Sequence, residues 1–348
     1  MSILYIAAAV VILGVIVAVH EFGHYLVGRL TGMAILEYAI GFGPKIFGFE
    51  KGGIKYSLRL IPLGGYCAFL GEDEAMDDPH AMRNQAVWKR FLTVAAGPAM
   101  NFVLAFVATV ALIWGYGAYE SAPVVHSLVE GSAAQEAGLL PGDVITAVDG
   151  VEITMDAQGQ ALLIGTIQKT EAGAEIALDV DRNGEKLQFL IVPEFNEEDG
   201  VLQVGVMLGS VPLRFGFFES VALSGRTMVA MTGAMLDGLK QLFTTKEAID
   251  QTMGPVGIIS TVSQQVSEGF DMALNWIVII SLNLGIMNLL PVPGLDGGRL
   301  LFLIVEGVRR KPIPTDKEAW VHAGGILLLL GLAAVITFRD IARIFTGG

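Results

Sequence analysis

The stretch Ile3–Val19, ILYIAAAVVILGVIVAV, carries no charge and runs directly into His20-Glu21-Phe22-Gly23-His24. On a helix the i, i+4 spacing sets His20 and His24 one turn apart on one face, where both imidazoles can reach a single metal ion. Glu21, beside the first histidine, is placed to act as a base on water at that metal rather than to bind it. Three ionisable residues closing an apolar run are costly inside a bilayer and mark a functional site there. The competing reading is an amphipathic helix end whose histidines face lipid headgroups.

The rest of the chain has the composition of a multi-pass membrane protein. Of its 348 residues, 53% are hydrophobic and only 16% charged, outside the range of an ordinary soluble domain. Cys67 is the single cysteine, which excludes an intrachain disulfide and a cysteine-based zinc site. No basic segment precedes the first apolar run, so it is expected to stay as a transmembrane helix and not to be removed as a signal peptide. Net charge is −13, and residues 119–274 hold 22 acidic against 7 basic side chains, so the negative charge is concentrated there. Nothing reads as nucleic-acid binding.

The first span is expected over about Ile3 to Leu30. The loop after it, to about Arg90, alternates polar and apolar residues through Ile54–Leu60, between Gly41-Phe42-Gly43-Pro44 and Pro62-Leu63-Gly64-Gly65-Tyr66. That period of two predicts a membrane-associated β-hairpin. It can dip into the bilayer if its edges pack on protein or line a wet cavity; a hairpin lying on the membrane surface is the alternative. Cys67 is expected as a small packing residue, and Glu72–Asp78 as a solvated acidic loop.

A second span, from about Ala95 to Tyr116, places Pro98 in its first turn, with Asn101 as a cap or a hydrogen bond to a neighbouring helix. A third, from near Ala273, breaks at Asn288-Leu289-Leu290-Pro291-Val292-Pro293-Gly294-Leu295-Asp296-Gly297. Broken backbone at membrane depth is tolerated only beside protein or a water-filled cavity. Asp296 is therefore a second candidate site residue, or else a cap for the apolar stretch to Val308. The last of about four transmembrane helices covers about Val321–Phe338. His80, His126 and His322 are expected to stand apart from the metal.

Between spans two and three, Val129–Gly150, VEGSAAQEAGLLPGDVITAVDG, contains A-G-L-x-P-G-D-x-I at Ala137–Ile145 and resembles a PDZ domain of the bacterial protease type. The resemblance extends to about Gly209. It implies a small β-rich fold that holds a peptide by strand addition or serves as a size filter. The expected organisation is 1–118 (two spans and hairpin), 119–210 (PDZ domain), 211–272 (amphipathic membrane-surface helices) and 273–348 (two spans). Lysine and arginine number 8 in residues 25–96 and 5 in 297–320, with none before the first span and 2 in the C-terminal tail. The positive-inside rule puts both basic loops in the cytoplasm and the acidic PDZ segment outside. His20, His24 and Asp296 then share the cytoplasmic side.

His20-Glu21-x-x-His24, Gly97-Pro98-x-x-Asn101, one PDZ domain and Asn288-x-x-Pro291-x-Pro293-x-Leu295-Asp296-Gly297 together look like the site-2 protease family, in particular its bacterial RseP/RasP-type intramembrane zinc metalloproteases. The resemblance covers essentially the whole chain. It implies a multi-pass protein of the bacterial cytoplasmic membrane that binds Zn2+ through His20, His24 and Asp296 and uses Glu21 as catalytic carboxylate. It further implies a re-entrant hairpin that pairs with substrate and Asn288 on the substrate backbone. An edge strand near Tyr56–Leu60 or Gly64–Leu70 would offer the pairing, which makes Tyr56, Leu58, Gly64, Gly65 and Tyr66 candidate substrate contacts. The implied substrates are single-span membrane proteins pre-cut by another protease, such as anti-sigma factors or signal-peptide remnants. Longer members carry two PDZ domains, and this chain has room for one. Two other readings stay open: a zinc peptidase of surface substrates, with Glu37 or Glu50 as nearby acids, and a non-enzymatic membrane adaptor whose working part is the PDZ domain.

Overall fold

The computed structural model describes residues 2–346 apart from 73, 75, 198–199, 243 and 245–252. Part of the expected acidic loop (73 and 75) and part of the expected linker (243 and 245–252) thus lie outside the described residues. The chain divides into two compact units, Met1–Leu112 with Phe217–Gly348, and Ile113–Gly216.

The first unit opens with α1, Ile3–Leu30, whose start is capped by the Ser2 hydroxyl accepting the Leu4 N–H. Strands β1 (Ile35–Lys51) and β2 (Ile54–Phe69) follow and pair antiparallel. Their register is more than a hairpin. Phe49 faces Tyr56 across the tight end, but Tyr56 also faces Tyr38, and Leu58 faces both Phe47 and Ile40. Tyr38 and Ile40 in turn face Cys67 and Gly65. Residues 55–58 are therefore covered on both sides, whereas 65–69 pair only with 35–40 among the described residues.

Helix α2 spans Val87–Tyr116 and begins well before the expected Ala95. Its polar first turn is anchored: Lys89 Nζ donates to the Thr31 carbonyl at 3.0 Å, and Arg90 pairs with Glu306 at 2.5 Å. Pro98 therefore sits inside the helix and not in its first turn. Lacking an N–H, it leaves the Val94 carbonyl without its usual helical donor.

The second unit is a six-stranded sheet with two helices. In chain order its elements are β3 (Ala118–Leu128), α3 (Ala133–Glu136), β4 (Val144–Val148), β5 (Val151–Glu152), α4 (Ala157–Lys169), β6 (Ile176–Arg182), β7 (Glu185–Ile191), β8 (Glu194–Asn196), β9 (Val201–Gln203) and β10 (Val206–Leu213). The sheet order is β10-β3-β4-β6-β7, with β5 on β4, while β8 and β9 form a separate pair. Leu163 and Ile167, one turn apart on α4, close over Val125, Ile145, Leu178 and Val180 to make the core. In the Leu139–Asp143 turn the buried Asp143 accepts from Leu140 N–H and from Arg182, Nε to Oδ1 and Nη2 to Oδ2, both 2.7 Å.

The first unit resumes with α5 (Phe217–Leu242), α6 (Pro255–Val266), α7 (Phe270–Leu289), α8 (Asp296–Arg309) and α9 (Thr315–Thr346). Met228, Met231 and Met235 of α5 pack on Ala105 and Ala108 of α2 and on Val278, Leu282 and Ile286 of α7. The segment expected at the membrane surface thus contributes a helix built into the core. Among the described residues, four helices are long and apolar enough to cross a membrane: Ile3–Leu30, Val87–Tyr116, Phe270–Leu289 and Asp316–Ile341. Between α7 and α8 the chain turns through Leu290–Leu295, and Leu295 caps α8 without a side-chain bond. Asp296 is thus free of the capping role that was the alternative for it.

Candidate metal centre and catalytic cavity

Helical spacing on α1 puts His20 and His24 on one buried face, with their Nε2 atoms 3.3 Å apart. The turn into α8 brings Asp296 to the same point. Its Oδ2 lies 3.1 Å from His20 Nε2 and 3.5 Å from His24 Nε2, buried and without a hydrogen bond. Such a turn requires glycine after the aspartate, because a Cβ on Gly297 would stand 2.1 Å from the Leu290 carbonyl oxygen. Among the described residues, this is the one group of three His, Cys, Asp or Glu side chains with donor atoms all within 4.8 Å of one another.

Two imidazole lone pairs and a carboxylate oxygen aimed at one buried point repel each other unless a cation lies between them. An N, N, O donor set suits zinc, and three protein ligands leave a position open, as in catalytic sites. The outer nitrogens are also held. His24 Nδ1 donates to the Thr93 carbonyl at 2.9 Å, and the Asn101 amide lies 3.0 Å from His20 Nδ1. Partners of this kind fix ring orientation and tautomer in metal sites. The residues present fit a zinc ion.

Glu21 opens onto the same cavity of about 440 Å³ as His20, His24 and Asp296. Of the candidate substrate contacts, Asn288, Gly64, Gly65 and Tyr66 line this cavity, together with Cys67. A Cβ on Gly65 would lie 3.1 Å from Glu21 Cγ, so the 65–69 segment runs directly beside the candidate base. Tyr56 and Leu58 do not line it. The Tyr56 hydroxyl bonds that of Tyr25 on α1 at 2.8 Å, and Tyr56 and Leu58 belong to the strand segment already paired on two sides. The expectation that Tyr56–Leu60 offers an open edge is thereby corrected for Tyr56–Leu58, which pair on two sides, whereas 65–69, the alternative edge, pair on one side only.

Two further side chains make contacts at or next to the centre. Asn101, expected as a cap or a hydrogen bond to a neighbouring helix, makes the second of these, and its partner on α1 is the metal-ligand candidate His20. His322, expected to stand apart, accepts the Gly294 N–H on Nδ1 at 3.0 Å and so braces the turn carrying Asp296. Glu37, the nearby acid of the surface-peptidase reading, is occupied instead by Ser57 at 2.6 Å and Arg59 at 2.9 Å.

Residues 8–332 match peptidase family M50. Relatives include the regulator of sigma-W protease RasP of Bacillus subtilis, 30% identical over 98% of this chain and 99% of its own length. A putative zinc metalloprotease of Agrobacterium fabrum is 33% identical over 98% and 96% of the two chains. Among solved structures, the PDZ domain of an SdrC-like protein from Listeria monocytogenes matches 26% of this chain and 90% of its own, at 22% identity and a TM-score of 0.22. With the family match running through both the His-Glu-x-x-His helix and the Asp296 turn, the chain belongs to peptidase family M50, the site-2 proteases, and is an intramembrane zinc metalloprotease.

Proposed function

We propose that His20, His24 and Asp296 hold the zinc ion, that Glu21 is the catalytic base, and that the 65–69 strand receives the substrate. The supporting observation is the arrival of Asp296 Oδ2 within 3.1 Å of His20 in a cavity that Glu21 also lines. Zinc held there supplies a Lewis acid for the scissile carbonyl and lowers the pKa of a water from 15.7 to about 7.

The protein's own groups do the rest. Glu21 takes the proton of the attacking water and returns it to the leaving amine. Thr93 and Asn101 keep the imidazoles facing the ion. A peptide bond inside a transmembrane helix is shielded by its own hydrogen bonds, so the substrate must first be extended. The open side of 65–69 replaces those bonds by β-addition, while Asn288 meets the substrate backbone from the other side of the cavity.

The lysine and arginine distribution supports a cytoplasmic-side active site in a bacterial cytoplasmic membrane, with the Ile113–Gly216 unit outside. In this reading that unit is a PDZ domain acting as peptide holder or size filter. The exposed Ile46, Phe47 and Phe49 at the hairpin end face lipid. Since one relative is named a regulator of sigma-W protease, the substrate class is single-span membrane regulators, anti-sigma factors among them, shortened beforehand by another protease. The test is Glu21→Gln in purified enzyme with a single-span substrate. Retained zinc with cleavage reduced on the order of 10²–10⁴-fold is expected; undiminished cleavage would refute the role of Glu21.

A further inference from the structure

We propose that Asn101 is a positioning residue for His20, its side-chain carbonyl holding the proton on Nδ1 so that Nε2 offers a lone pair to the metal. This rests on the zinc reading above and extends it. A neutral imidazole carries one N–H, and the nitrogen bearing it cannot ligate. For His24 the Thr93 backbone carbonyl settles the matter, since a carbonyl can only accept. Among the described residues no backbone carbonyl is bonded to His20 Nδ1; the fully buried Asn101 amide is there instead, 3.0 Å away.

An amide presents oxygen or nitrogen to the same point by a half-turn, and the two are assigned from their bonding and not from outline. With Nδ2 toward the ring, as the atoms are assigned, the His20 proton is driven onto Nε2, against the metal position; the outward amide atom occupies the same buried place in either arrangement. With oxygen toward the ring, the proton stays on Nδ1 and Nε2 is bare. Only the second arrangement lets His20 act with His24 and Asp296. The amide does this without adding a negative charge to a centre that already holds Glu21 and Asp296. Its place is fixed from α7, where the Ser281 hydroxyl donates to the Asn101 backbone carbonyl at 2.9 Å.

The test is zinc affinity of the full chain in detergent, by competition with a chromophoric chelator, with thermal unfolding as the folding check. Asn101→Leu and Asn101→Ala remove the acceptor and should weaken zinc binding by about 10–100-fold, the range for loss of such partners. Asn101→Asp, which can only accept, should restore affinity to near the parent value. Parent-like affinity in whichever of the Leu and Ala variants folds overturns the proposal, and so does an Asp variant as weak as they are. His20→Ala separates the two claims: if it binds zinc like the parent, the ligand assignment itself has failed.

Discussion

Gly97 of α2 lies against the imidazole of His24: a Cβ at this position would stand 2.2 Å from His24 Nε2 and 2.9 Å from His20 Nε2. The α2 backbone is thus a wall of the metal centre, and the site needs that wall to be bare. Helices α1 and α2 meet closely for the same reason at Gly23, where a Cβ would stand 2.2 Å from the Ala96 carbonyl oxygen.

Gly97→Ala should therefore displace both histidines. Overpacking of this kind costs about 1–3 kcal/mol, but the larger effect falls on zinc, because the methyl group occupies the space of the ligand atoms. Zinc content and cleavage should both drop steeply while the purified protein stays monodisperse. Parent-like zinc content in the variant would contradict the placement of α2.

The one-sided strand makes a separate claim about substrate. In a Cys67→Ala background, a cysteine in place of Tyr66 should form a disulfide with a cysteine near the cleavage site of a single-span substrate, using the Glu21→Gln enzyme to hold it. A cysteine in place of Leu58 should not, since that segment is paired on both sides. Equal crosslinking at the two positions would remove the distinction.

In the Ile113–Gly216 unit, hydrogen bonding from Arg182 holds the Asp143 carboxyl below its usual range. The folded state thus binds this proton less tightly than the unfolded state does. Its contribution to stability is complete above the unfolded carboxylate pKa of about 3.9 and is lost as pH falls through the lower folded value. Arg182→Ala should weaken amide-exchange protection of this unit at neutral pH, and its deficit relative to the parent should narrow as the pH enters the carboxylate range. A deficit that stays constant with pH would assign Arg182 a packing role instead.

Much of this was legible in the residues. The span expected over about Ile3 to Leu30 coincides with α1, and the helical spacing of His20 and His24 dictates a shared face. The proline and glycine break before Asp296 announced a site because broken backbone at that depth needs a polar surrounding. The Ala137–Ile145 pattern likewise located the turn that Asp143 closes. What stayed hidden depends on partners distant in the chain. Hydropathy starts α2 too late, because it does not register that Lys89 and Arg90 find partners in Thr31 and Glu306. Period-two alternation finds strands but does not say that Tyr56 and Leu58 are covered twice. Asn101 reads as an ordinary polar residue until α1 lies beside it.

The central claim is that a carboxylate from the α7–α8 turn completes a zinc site begun on α1. Metal analysis of the purified parent and Asp296→Ala proteins tests this most directly. Bound zinc near one ion per chain in the parent and a large loss in the variant, with both proteins folded, is the predicted result. Equal zinc in the two would contradict the account.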